Sequence, residues 1–184
     1  TVEWYFDSPS YEGIHSEDAP GVVNASISEL HEHDGVRFTR WTETDSLPTS
    51  GNYFLANDVV WNNGPWTITG ELNLCLCGHT VKFDQCDYFP YTNIFANRGA
   101  TVNLYGDGGG TLNADSDIML SVKSGGTLNA YDLCFDSFGS GIEVAGGVFN
   151  MNGGSVINTG ASNAVSVKSG TFNMNGGVIR NNNY

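Results

Sequence analysis

At 184 residues the chain can build one sizeable core, and two would each be small. Seven basic side chains stand against 20 acidic ones, and the net charge of −13 repels nucleic acid and anionic lipid, so neither is expected as a partner. No run approaches the roughly 18 apolar residues of a membrane-spanning helix, so no membrane insertion is expected. The 24 glycines and only 15% charged residues suit an all-β surface of turns.

In chain order, residues 1–35 show no sustained period and read as an N-terminal extension or linker, with Trp4, Tyr5 and Phe6 as apolar handles. Near its end stands His31-Glu32-His33-Asp34. Residues two apart on an extended chain point the same way, which makes His31 and His33 candidate metal ligands; the plainer reading is a solvated polar segment. Residues 36–69 hold Trp41, Tyr53, Phe54, Trp61 and Trp66 between Pro and Gly breaks. They read as short strands of a β-rich cap, because the open end of a solenoid is a row of unpaired backbone groups.

From residue 70 to 184 the text repeats. Val122-Lys123-Ser124-Gly125 recurs as Val167-Lys168-Ser169-Gly170, and Thr127-Leu128-Asn129-Ala130 matches Val148-Phe149-Asn150-Met151 and Thr171-Phe172-Asn173-Met174, with an earlier copy at Thr101-Val102-Asn103-Leu104. Leu112, Cys134, Val156 and Val178 follow at equal intervals of 22. A period near 22, alternating segments and Gly-Gly, Asn-Gly and Ser-Gly breaks predict an all-β, right-handed parallel β-helix with about 22-residue rungs. Three internal ladders are expected: Leu128, Phe149 and Phe172; Ala130, Met151 and Met174; and Leu112, Cys134, Val156 and Val178, in which Cys134 is a small apolar filler. Asn129, Asn150 and Asn173 should stack on the outside and bond from rung to rung. Val81 precedes Leu112 by 31 residues, one period with an excursion of nine, which places a side insertion within residues 84–93. Because the text stops inside a unit, the chain is expected to be part of a longer protein.

Three groups of residues carry candidate chemistry. Cys75 and Cys77 share a strand face, with His79 and Cys86 nearby; a zinc site, a disulfide from Cys86 to Cys75 or Cys77, and free thiols are all open. Asp115 and Asp117, with Asp132, Asp136 and Glu143 on neighbouring rungs, could line an acidic groove able to hold calcium, or be solvated loop carboxylates. No other cofactor is expected. The insertion carries Tyr88, Phe89 and Tyr91, rings suited to sugar faces and partner hot spots, or to packing over the first rung. Lys123 and Lys168 sit at equivalent repeat positions, as ladder residues do, and Arg98 is the one candidate base with acidic company. No nucleophile elbow, metalloprotease or phosphate-loop motif occurs in the sequence.

The series His31-Glu32-His33-Asp34-Gly35-Val36-Arg37-Phe38, Leu47-Pro48, Gly51-Asn52-Tyr53-Phe54-Leu55 and Asn73-Leu74-Cys75-Leu76-Cys77-Gly78-His79, followed by Gly-Thr-Phe-Asn-Met-Asn-Gly-Gly units, resembles a module of large secreted and wall-anchored proteins of gut Firmicutes. These are similar to the pectin-lyase-like β-helix class. The resemblance spans about residues 31 to 184; an Asn usually occupies the place of Cys77, so this chain departs there. It implies an extracellular or bacterial cell-surface location and a non-catalytic adhesin or stalk, with a glycan or host surface protein as partner. The alternative is a carbohydrate-active enzyme, a polysaccharide lyase or glycoside hydrolase, or its accessory domain.

Overall fold

The computed structural model describes residues 31–84, 92–114 and 118–182, and every regular element among them is a strand. A hairpin opens the described chain: β1 (His31–His33) pairs antiparallel with β2 (Val36–Trp41). Its two-residue turn is Asp34-Gly35, with φ of 50° and 78°. Both turn residues must be left-handed for the turn to follow the twist of the strands, and Asp followed by Gly meets that need at low cost.

Every later pairing is parallel. The first turn of the coil is β3 (Gly51–Leu55), β4 (Val59–Trp61) and β5 (Trp66–Ile68); the second is β6 (Glu71–Cys75), β7 (Thr80–Phe83) and β8 (Thr92–Ala96). The third is β9 (Thr101–Tyr105), β10 (Thr111–Ala114) and β11 (Ile118–Lys123). Next come β12 (Thr127–Tyr131), β13 (Cys134–Ser137) and the long β14 (Ser140–Asn158) and β15 (Val165–Asn181), which run on round the corners. Strands stack in three columns, with β2, β3, β6, β9, β12, β14 and β15 forming the first. The result is a β-solenoid of about five turns at about 23 residues per turn.

Stacking places like residues over like. Leu128, Phe149 and Phe172 lie in register, as do Ala130, Met151 and Met174, which are the first two ladders expected. Val81 and Leu112 pair across their 31-residue separation, and the chain between β7 and β8 runs through residues 84–91, against 115–117 between β10 and β11. On the outside the asparagine ladder is longer than expected. Each Nδ2 donates to the Oδ1 of the asparagine one turn earlier, through Asn52, Asn73, Asn103, Asn129, Asn150 and Asn173, at 2.6–2.8 Å.

The third ladder is corrected by one residue. Leu112 stacks on Phe135, then Val156 and Ile179, at steps of 23, 21 and 23. Equal steps of 22 disguised this unequal series. Because side chains alternate across a strand, a slip of one flips the face. Cys134 therefore points outward, in line with Thr111, Ser155 and Val178, and accepts a hydrogen bond from Ser155 Oγ at 3.3 Å. Phe135, 1% exposed, fills the core place assigned to Cys134 and meets the Phe149 ring edge-on.

At the N-terminal end of the core, the residues between β2 and β3 fold across the opening. Leu47 is buried in the main cluster beside Leu55 and Trp66, and the Trp66 indole N–H donates to the Pro48 carbonyl at 2.9 Å. The aromatic stretch thus supplies both a first turn of parallel strands and the cover beneath it.

Candidate functional site

Odd and even residues of β6 have different fates. Leu72 and Leu74 face the core, while Cys75 faces outward and is nevertheless completely buried. It stacks between Phe54 below and Tyr105 above, and forms with Phe38 and Phe54 a second, external apolar cluster. What covers it is the β1–β2 hairpin. His33 lies flat on Tyr105, centroids 3.9 Å apart and planes 12° from parallel, and Tyr105 stacks in turn on Tyr131. His31 packs against Phe38 and Phe54.

The hairpin carries both imidazoles to the same point. His31 Nε2 and His33 Nε2 are 2.8 Å apart, and Asp107 Oδ2 is 3.9 and 3.3 Å from them. Ligand atoms of His31, His33, Cys75 and Asp107 all lie within 4.8 Å of one another, the one such group of three or more His, Cys, Asp or Glu among the described residues. Cys77 Sγ lies 3.3 Å from Cys75 Sγ and 3.8 Å from His31. Beside the cluster opens a cleft of about 370 Å³ lined by His31, Arg40, Phe54, Leu55, Ala56, Cys77 and His79.

Asp107 reaches this point from a loop of glycines, residues 106–110. The loop lies directly against the Cys77-Gly78 turn of the previous rung; a Cβ on Gly110 would stand 2.5 Å from the Leu76 Cβ. Only the absence of side chains lets the two bends stack so closely.

Burial lowers the His31 pKa, helped by the neighbouring His33 and opposed by Asp107. The shift favours the neutral imidazole, the form in which it can ligate a metal. Hydrogen bonding to Cys77, then burial, pushes the Cys75 thiol well up, while the same contact draws Cys77 down. Among the described residues, Cys75, Cys77 and Cys134 are free thiols.

The structure thus joins two candidates that the sequence kept apart, the histidine pair and the cysteine pair, and adds Asp107. His79 does not join them: its Nδ1 pairs with Asp58 Oδ1 at 3.2 Å. Cys86 lies outside the described residues, as do Tyr88, Phe89, Tyr91, Asp115 and Asp117. Of the acidic positions on neighbouring rungs, Asp136 accepts from Asn113 at 3.2 Å. Glu143 accepts from Ser121 and is held between Lys123 and Lys168 at 3.8 and 2.5 Å. The two lysines are ladder residues that meet on one carboxylate in the rung between them.

A missed signal for the hairpin was Asp34-Gly35, a strong local turn marker between extended segments. Asp107 had no comparable signal, since its place depends on stacking across 30 residues. Comparison with known protein families, curated proteins and solved structures gave no significant match.

Proposed function

We propose that the chain is a non-catalytic segment of an extracellular surface protein, a stalk or adhesin whose rigid coil presents side loops to a glycan or host surface protein. The observation that supports this reading is the uninterrupted asparagine ladder over six successive strands of one column. A face repeated turn after turn is a scaffold that sets spacing and direction. Repeats of this kind contact only their neighbours and extend along one axis, which is the mechanical need of a stalk. The sequence between β7 and β8 holds Tyr88, Phe89 and Tyr91, rings of the kind that stack on sugar faces. The resemblance to wall-anchored proteins of gut Firmicutes supports the same location and role.

The test is binding of the intact chain to a glycan array and to a host extracellular-matrix panel, alongside a Tyr88→Ala/Tyr91→Ala variant. Binding that the variant loses is the expected result. Release of reducing ends or unsaturated uronates from a polysaccharide panel would overturn the non-catalytic reading, and undiminished binding by the variant would remove the insertion from it.

A further inference from the structure

We propose that His31 Nε2, His33 Nε2, Cys75 Sγ and the Asp107 carboxylate form a zinc site that fastens the N-terminal hairpin to the side of the solenoid. Two imidazoles, a thiolate and a carboxylate are the donors zinc takes, and four ligands complete its tetrahedron. The thiol and imidazoles disfavour calcium or magnesium, which bind through hard oxygens.

Geometry favours one ion at one point. In a tetrahedral site with ordinary zinc bond lengths the donor atoms lie about 3.3–3.8 Å apart. Here the imidazole nitrogens are 2.8 Å apart and Asp107 lies at 3.3 and 3.9 Å, with all four groups inside 4.8 Å. A small movement of the His31 ring, with His33 held by Tyr105, would bring these toward coordination distance. The imidazoles currently share a hydrogen bond that the ion would replace, and the adjoining cleft, which His31 helps to line, gives it a way in.

Three features set this cluster apart from a chance meeting of polar groups. First, Cys75 is an outward-facing residue with no exposure, in a cluster that joins Phe38 of the hairpin to Phe54 of the coil. Second, the His33 ring is clamped face-on against Tyr105, which limits its rotation before any ion arrives. Third, the ligands come from three separate places: the hairpin, β6 and the loop after β9. Bridging them ties sequence positions 31 and 107 together, so ion binding energy becomes folding energy for the hairpin. Cys77, the second thiol, stays outside the four and hydrogen-bonds the Cys75 sulfur.

The test uses the whole reduced chain, titrated with cobalt(II) and then zinc(II). A thiolate-to-cobalt charge-transfer band with tetrahedral d–d bands, saturating at one equivalent and displaced by zinc, is expected. Cys75→Ser should abolish the charge-transfer band and Cys77→Asn should keep it. His31→Ala/His33→Ala should weaken zinc more than about 100-fold, since even partners outside the coordination sphere cost about 10- to 100-fold. Should Cys75→Ser fail to fold by circular dichroism, Asp107→Asn with His33→Ala, both at partly exposed positions, carries the same expected loss. No cobalt–sulfur band, a band that survives removal of both histidines, or one lost with Cys77 and kept without Cys75 would each overturn the assignment.

Discussion

Cys77 stands in a left-handed turn, φ 48°, immediately before Gly78 at φ 80°. Non-glycine residues pay about 1–2 kcal/mol for that conformation, and asparagine bears it best. Cys77→Asn should stabilise the protein by about 0.5–1 kcal/mol, read as a higher urea midpoint with unchanged slope. Glu143 makes a second residue-scale case. Burial pushes its carboxyl up, but Lys168, Ser121 and Lys123 outweigh it, so the folded pKa lies below the unfolded one. Such a group stabilises above its unfolded pKa, and the contribution is lost as pH falls through the folded value. Since both lysines are substantially exposed, Glu143→Gln should cost only about 1 kcal/mol at pH 7. Urea curves of the two proteins should converge as the pH falls through the folded value. The repeated lysines were visible in the sequence; that they share one carboxylate was not, because Glu143 falls outside the repeated text.

At the scale of elements, the hairpin decides what the site becomes. Gly35 has open space around it, so a side chain there meets no clash and only the positive φ resists it. Gly35→Val should cost the hairpin about 1–2 kcal/mol. With chelator present, the expected readout is faster alkylation of Cys75, resolved by peptide mass, with labelling of Cys134 unchanged. Equal Cys75 labelling in both proteins would mean the hairpin is not its cover. Period-two patterning told which residues of β6 face outward and so placed Cys75; the shared strand face expected for Cys77 does not form, because β6 ends at Cys75 and Cys77 stands in the turn that follows. The patterning could not tell that an outward residue would be buried, because the strand that buries it pairs antiparallel and belongs to no repeat.

For the whole molecule, the interior ladders carry the stability. Phe149 lies between Leu128 and Phe172 with its ring stacked 5.1 Å from that of Phe172. Phe149→Ala should cost about 3–5 kcal/mol, while Phe138→Ala, at a ring 61% exposed, should stay within about 0.5 kcal/mol. Repetition made two of the three ladders readable, since Thr-Leu-Asn-Ala and Thr-Phe-Asn-Met have the same length and the same alternation. The third ladder failed because corner lengths differ between turns, and compensating differences of one residue kept the average interval at 22. The most direct measurement of the coil is a set of backbone nuclear Overhauser contacts in isotope-labelled protein. Stacked parallel turns predict amide-to-Hα contacts joining Asn129 with Asn150 and Asn150 with Asn173, steps of 21 and 23 residues, with side-chain amide contacts alongside. Close Hα-to-Hα pairs between neighbouring strands of this repeat, the mark of antiparallel hairpins, would contradict the solenoid and with it everything placed upon it.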